Sequence, residues 1–261
     1  MVIGIDRFRE HFAGHEHQYV LIGGSACDLI MGEAGLDFRA TKDLDIVLIV
    51  EAIDPEFSHR FMEFIEAGQY EVRERSEGDS VLYRFQKPAT DGYPKMLELF
   101  SSAPEGLSLP AEDELVRLPI GEAAASLSAI LLDPDYYAFL KGMIRRIDDI
   151  PILDEAGLIP FKARAWIDLS RRREAGEPVD ARDITKHRRD VVRLVQLIAE
   201  GVAHELPPSL YADLTQFIDA LAGQGDVNPK DFGVPMSLAT AVERLRAAYH
   251  PAKPPPNTPA P

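Results

Sequence analysis

The strongest constraint on the fold is a succession of strand, glycine turn, helix and second strand near the N-terminus. The apolar run YVLIG at residues 19–23 leads into the turn Gly23-Gly24-Ser25 and then into a helical pattern. The β-branched run LDIVLIV at residues 44–50 predicts a central strand. A glycine turn and a helix N-terminus direct backbone N–H groups towards one point, which is typical of a phosphate-binding site. The spacing of the two strands suits a βαβ-like arrangement.

Two carboxylates stand at the start of the second strand. Because side chains alternate between the faces of a strand, Asp43 and Asp45 lie on one face while Leu44 and Ile46 lie on the other. Such close carboxylates repel each other unless a cation compensates them, and hard divalent ions, Mg²⁺ above all, take oxygen ligands of this kind. An isolated Asp-x-Asp is more often simply solvated, so the surrounding residues decide between the two interpretations.

A third carboxylate, Glu98, lies among large apolar residues in the run MLELF at residues 96–100. A glutamate in the middle of such a strand is costly to bury without a partner, so it either faces solvent or joins a metal site. The glycine turn, the paired aspartates and Glu98 together indicate a site for metal-assisted phosphoryl transfer.

The order of the remaining elements predicts an α+β chain. Residues 55–68 have helical spacing, and three strand candidates follow at residues 70–75, 80–86 and 95–101. From Asp133 onward every apolar pattern is helical, including the segment at residues 133–149. We therefore predict a mixed-sheet domain at residues 1–132, a C-terminal helical domain at residues 133–250 and a disordered tail at residues 251–261.

Composition narrows the function classes. The formal charge of −15 disfavours a broad duplex-binding surface. Residues 141–200 are nevertheless close to neutral, and the basic stretch formed by residues 171–173 and 186–189 suits either contact with an RNA end or a solvated helix face. Cys27 is the only cysteine, which excludes an intramolecular disulfide and, without a membrane span or export signal in the sequence, predicts a cytoplasmic protein.

The pattern Gly23-Gly24-Ser25, Asp43-Leu44-Asp45 and Glu98 resembles the nucleotidyltransferase superfamily with the polymerase-β-like fold. More narrowly, GGSA followed by RATKDLD at residues 39–45 resembles the AbiEii-type toxins of abortive-infection and type IV toxin–antitoxin systems. The resemblance extends over residues 18–200, where Lys162 and Asp190 match the family's lysine helix and its later K/R-D helix.

The resemblance implies a mechanism and a set of roles. Asp43, Asp45 and Glu98 would hold two Mg²⁺ ions, and Glu98 could instead act as a general base. The turn at residues 23–25, through Ser25 and the backbone N–H groups of Gly24 and Ser25, would hold the phosphates of a nucleoside triphosphate.

Three more residues have implied roles at that nucleotide. Arg39 and Lys162 would contact its phosphates, and Asp190 would orient a basic neighbour there. Lys141 competes with Lys162 as the phosphate-contacting lysine. The site is expected at the seam between the two domains.

The acceptor of the transferred nucleotide is open at this level. The resemblance implies an RNA, tRNA above all, or a protein, with a separately encoded antitoxin as a partner. A small hydroxylated antibiotic is an alternative acceptor, because an acidic surface suits a cationic molecule. A non-catalytic nucleotide-binding module is the alternative from a different class of protein, and the complete set of three carboxylates argues against it.

Overall fold

The computed structural model describes residues 2–72, 84–102, 115–117, 128–224 and 227–252. The chain divides into two compact units, Met1–Asp154 and Glu155–Pro261. Strands and helices are both present, so the chain is α+β as predicted. The predicted strands at 70–75 and 80–86 lie mostly outside the described residues, as does the predicted tail from residue 253 onward.

The N-terminal unit contains four helices among its described residues, which are α1 (Ile5–His11), α2 (Gly23–Glu33), α3 (Pro55–Gly68) and α4 (Pro134–Lys141). Its strands are β1 (Tyr19–Ile22), β2 (Asp43–Leu48), β3 (Glu71–Val72), β4 (Arg84–Gln86), β5 (Met96–Ser101), β6 (Leu115–Arg117), β7 (Ser128–Leu131), β8 (Ile144–Ile147) and β9 (Ile150–Leu153). Helix α3 has the predicted bounds because Asp54 caps it, accepting a hydrogen bond from the backbone N–H of Phe57 at 2.8 Å, and Pro55 occupies its first turn.

The described strands of this unit form one mixed sheet in the order β3-β4-β5-β2-β1-β9-β8, with β7 pairing with both β5 and β6. Strand β2 is central and runs parallel to β5. It runs antiparallel to β1, so the βαβ-like arrangement expected from the spacing is wrong. Because the chain reverses direction after α2, the start of β2 lies beside the end of β1, and Asp45 is paired with Ile22.

The hydrophobic core covers one face of this sheet. Phe8 contacts Tyr19 and Phe61 contacts Phe85, so aromatic side chains of α1 and α3 pack against β1 and β4. Tyr19 is in register with Leu48, and Phe85 is in register with Leu97, which places both rings on the face that also carries Leu44 and Ile46. Asp43, Asp45 and Glu98 therefore belong to the opposite face of the sheet.

The segment at residues 133–149, predicted to be helical throughout, is a helix only as far as Lys141. Asp148 and Asp149 both have positive φ, 46° and 65°, and they form the two-residue turn of a hairpin between β8 and β9. Strand β9 then pairs with β1 in the main sheet. The division between the compact units consequently follows Asp154, whereas the sequence placed the domain boundary between residues 132 and 133.

The C-terminal unit is mainly helical in its described part. Its helices are α5 (Glu155–Glu174), α6 (Ala181–Leu194), α7 (Pro208–Ala222) and α8 (Leu238–Ala248), with short 3₁₀ turns at Val195–Leu197 and Pro229–Phe232. Strands β10 (His204–Leu206) and β11 (Tyr249–Pro251) form a small parallel pair, so the chain is still ordered at residue 251, where the disordered tail was predicted to begin. Within the part of the chain that the structure describes, no helix has the length and apolarity needed to span a bilayer.

Candidate functional site

A row of charged side chains crosses the sheet on the face opposite the aromatic core. Asp45 on β2 is in register with Glu98 on β5, and Glu98 is in register with Arg84 on β4. Residues in direct register share a face, and neighbouring strands lie only about 4.8 Å apart. Sheet pairing therefore brings together two carboxylates that are far apart in the sequence, together with one guanidinium.

Asp43 extends this row towards the start of β2. It lies two residues before Asp45 on the same face and is exposed, whereas Asp45 is half-buried. Two carboxylates on one strand face are hard oxygen donors that fit Mg²⁺. Over the ranges described above, however, no three His, Cys, Asp or Glu side chains are grouped closely enough to hold a metal ion. Asp43 and Asp45 therefore have the chemistry of a magnesium site, while the predicted set of three ligands is not assembled.

Glu98 is the residue that departs from the predicted set. Its side chain is 12% exposed, and its Oε1 accepts a hydrogen bond from Nε of Arg84 at 2.5 Å. A second nitrogen of Arg84, Nη2, donates to the same oxygen. The mostly buried glutamate thus has the charged partner that its apolar setting requires, but that partner is an arginine rather than a metal ion.

Gly23 brings the N-terminus of α2 against Asp45. Gly23 has a φ of 70°, a backbone conformation that favours glycine, and a β-carbon placed on it would lie 1.8 Å from Oδ2 of Asp45. Glycine is therefore needed at this position both for the turn and for the approach of the carboxylate. The glycine turn and the aspartate strand predicted from sequence are thus in contact.

Gly24 is covered by the loop that precedes β2. A β-carbon on Gly24 would lie 2.5 Å from Oγ1 of Thr41 and 3.2 Å from the guanidinium of Arg39. Thr41 is buried and Arg39 is half-buried, with its guanidinium also 5.2 Å from the centre of the Phe38 ring. Arg39 is thus positioned at the first turn of α2, where the resemblance implied a phosphate contact.

Ser25 is placed differently from its predicted role. Its side chain is fully buried, and its hydroxyl donates a hydrogen bond to the carbonyl oxygen of Ile22 at 3.2 Å. This contact stabilises the first turn of α2. Ile22 at the N-cap makes no side-chain hydrogen bond, and the first turn of α2 contains no acidic residue.

Lys162 and Asp190, the two sites predicted in the C-terminal unit, form an ion pair. Nζ of Lys162 donates to Oδ2 of Asp190 at 2.9 Å, and the two side chains are 3% and 0% exposed. Arg193 approaches the other oxygen of Asp190 at 3.8 Å and lies over the ring of Phe232. Asp190 therefore contacts two basic neighbours, and the lysine ammonium is bound by a carboxylate within its own unit.

Lys141, the competing lysine, lies at the other end of β2 from Asp43. It donates to Glu51, which follows the end of β2, at 2.6 Å, and Tyr137 donates to the second oxygen of Glu51 at 2.7 Å. Burial alone would raise the pKa of Glu51, but the hydrogen bonds from Lys141 and Tyr137 outweigh it and lower that pKa. These contacts fasten α4 to the chain after β2 and are remote from the paired aspartates.

Sequence reasoning missed Arg84. The run SVLYRFQ was recognised as a strand candidate, and the alternation of its side chains places Arg84 and Phe85 on opposite faces. What the sequence did not contain is the register that pairs Arg84 with Glu98. A single arginine in an amphipathic strand gives no signal of its own.

No protein-family model matches the chain, and comparison with curated proteins returns no match. Among solved structures, the chain is similar to the solution structure of the antibiotic-resistance factor ANT(2'')-Ia, a protein with substrate-regulated conformation dynamics. The identity is 15%, the TM-score is 0.38, and the match covers 84% of this chain and 91% of that one. A likeness at this TM-score supports no argument about fold or activity, so the functional conclusion rests on the residues of the chain itself.

Proposed function

We propose that the protein is a nucleotidyltransferase that moves a nucleoside monophosphate from a nucleoside triphosphate to a hydroxyl acceptor. The observation that carries this proposal is the contact between Gly23, at the N-terminus of α2, and Asp45. The contact supports the proposal because a helix end, which attracts anions, lies against one of the two aspartates that would hold Mg²⁺. A bound metal–triphosphate complex needs both features side by side.

Each group has a role in binding the triphosphate. The first turn of α2 would offer backbone N–H groups at Gly24 and Ser25 to the phosphates, and the guanidinium of Arg39 would add a positive charge at the same place. Asp43 and Asp45 would hold Mg²⁺, which when bound neutralises charge on the phosphates and on the acceptor oxygen. Catalysis by such a site consists mainly of positioning and electrostatic stabilisation.

For the acceptor, we propose the hydroxyl group of an RNA, tRNA in particular, or of a protein. This part of the proposal depends on the resemblance of the RATKDLD element and of Lys162 and Asp190 to AbiEii-type toxins, and it includes a separately encoded antitoxin as a partner. In this chain Lys162 and Asp190 form a buried ion pair within the C-terminal unit.

One observation favours a second candidate function, nucleotide transfer to a small cationic hydroxylated molecule. Two cations of the basic stretch, Arg172 and Lys186, are paired with carboxylates of their own unit, which reduces the positive charge offered to an RNA backbone. The contacts join Arg171 to Gln216, Arg172 to Glu177, Lys186 to Asp183 and Arg188 to Gln224. Together with the net charge of −15, this pairing suits a cationic acceptor better than a polyanion.

The test is incubation of the protein with Mg²⁺ and each labelled nucleoside triphosphate in turn. Parallel reactions contain total cellular RNA, a panel of cationic hydroxylated small molecules, or the protein alone. Label in RNA or protein supports the first acceptor class, and label in a small molecule supports the second. Asp43→Asn and Asp45→Asn should abolish transfer while the proteins stay folded, and transfer that survives both substitutions would overturn the proposed function.

A further inference from the structure

Arg84 and Glu98 form a cross-strand pair at one end of the charged row. Their register on antiparallel strands places them directly opposite each other, and two nitrogens of Arg84 donate to a single oxygen of Glu98. The Arg84 side chain is 29% exposed, so the pair lies at the edge of the buried region. On its other side Glu98 has Asp45 as its direct neighbour.

The order Asp45, Glu98, Arg84 along the row affects how a metal ion could bind there. Glu98 and Asp45 carry like charges on adjacent strands, and Arg84 compensates the charge of Glu98. A divalent cation shared by Asp45 and Glu98 would lie within a few ångströms of the guanidinium and be repelled by it. Arg84 and the cation therefore compete for the same carboxylate.

On the basis of the proposed function, we propose that Arg84 is a positioning residue that holds Glu98 as the counterion of the metal-free site and weakens the binding of free divalent cations there. A nucleoside triphosphate adds negative charge at the site and offsets the repulsion between the metal and Arg84. Metal loading at Glu98 then depends on the nucleotide. This role explains why Glu98 is in register with Asp45 and yet, among the described residues, is not grouped with the aspartates as a metal ligand.

The experiment measures Mn²⁺ affinity of the full chain by electron paramagnetic resonance, first without nucleotide. Arg84→Met should bind Mn²⁺ about tenfold more tightly than the wild type, because a repelling charge is removed and Glu98 is released. With a non-hydrolysable triphosphate present, the difference should shrink to about twofold or less. In an Asp45→Asn or Glu98→Gln background, Arg84→Met should have no effect on affinity.

A matched control is Arg145→Met. Arg145 pairs with Glu33 at 2.7 Å in the same unit, and its side chain is 30% exposed, close to the exposure of Arg84. Its loss should leave Mn²⁺ affinity unchanged. If Arg84→Met fails to fold, Arg84→Gln removes the charge while keeping hydrogen-bonding groups, and Arg84→Lys, which keeps the charge, should stay near the wild-type affinity.

The outcomes separate the two proposals. Equal Mn²⁺ affinity of the wild type and the charge-removing variants overturns the role of Arg84 and leaves the proposed function standing. If nucleotide transfer fails for every acceptor, the proposed function is overturned. That result comes from the labelled-nucleotide assay and not from the Mn²⁺ measurement. Absence of Mn²⁺ binding in both the wild type and the Arg84 variants overturns both proposals.

Discussion

The carboxylate of Asp45 lies in the space that a β-carbon on Gly23 would fill, with Oδ2 1.8 Å from that position. These residues are 22 positions apart in the sequence, at the first residue of α2 and near the start of β2. Their contact joins the N-terminus of α2 to the face of the sheet that carries the carboxylates. Several substitutions test this contact and its surroundings.

Gly23→Ala should destabilise the protein more than the same change at another glycine with the same backbone conformation. Gly35 is the matched control, since its φ of 68° resembles the 70° of Gly23, but a β-carbon placed on it would meet no atom of the described residues within 4 Å. We expect Gly35→Ala to cost about 1–2 kcal/mol from backbone strain alone. Gly23→Ala should cost at least about 1 kcal/mol more because Asp45 must move. Urea denaturation measures the free energy of unfolding of both variants. Equal losses of stability would show that Asp45 does not lie against Gly23.

Gly24→Ala should be coupled to Thr41. The added β-carbon would lie 2.5 Å from Oγ1 of Thr41, so that side chain must shift. Thr41→Ala removes the contacting atom, and the double variant should lose less stability than the sum of the single variants, by about 0.5–3 kcal/mol. Thr41→Ser keeps the oxygen and should give no such relief. If the losses of stability are additive both when Gly24→Ala is combined with Thr41→Ala and when it is combined with Thr41→Ser, the packing of this loop on α2 is contradicted.

Lys162→Met should destabilise the protein by about 3–5 kcal/mol, because it leaves the buried carboxylate of Asp190 without its main partner. Lys87→Met is a matched control: its ammonium also lies 2.9 Å from a carboxylate, that of Glu71, but those side chains are 70% and 58% exposed. Breaking that exposed pair should cost less than about 1 kcal/mol. The free energy of unfolding of both variants is measured by chemical denaturation. Similar small losses would mean that the Lys162–Asp190 pair is not buried in solution.

Glu51→Gln should change how the free energy of unfolding depends on pH. The folded-state pKa of Glu51 is lowered from its ordinary value of 4.5, since hydrogen bonds from Lys141 and Tyr137 outweigh the effect of burial. A lowered folded-state pKa means that the unfolded chain binds more protons, so the stabilisation is present above about pH 4.5 and is lost as the pH falls through the folded-state value. The wild type should exceed Glu51→Gln in stability at neutral pH, and the gap should narrow below pH 4.5. A gap that stays constant down to acid pH would contradict this contact.

Much of the local structure could be predicted because it depends on neighbouring residues. The helix at Pro55–Gly68 follows from its N-cap, its proline and its apolar period, and the strands around Leu21, Ile46 and Leu99 follow from apolar runs. The hairpin of β8 and β9 was missed because its turn consists of two aspartates with positive φ, where glycine or asparagine is the usual signal.

The candidate site shows the same division between local and distant contacts. Alternation along β2 was enough to place Asp43 and Asp45 on one face, and the glycine turn was enough to predict where a helix begins. The antiparallel pairing of β1 with β2, the row from Asp45 through Glu98 to Arg84 and the buried pair of Lys162 and Asp190 were decided by the tertiary structure. The physical reason is that strand order and register depend on how whole elements bury their apolar faces, and this information is distributed over the chain rather than carried by any one motif.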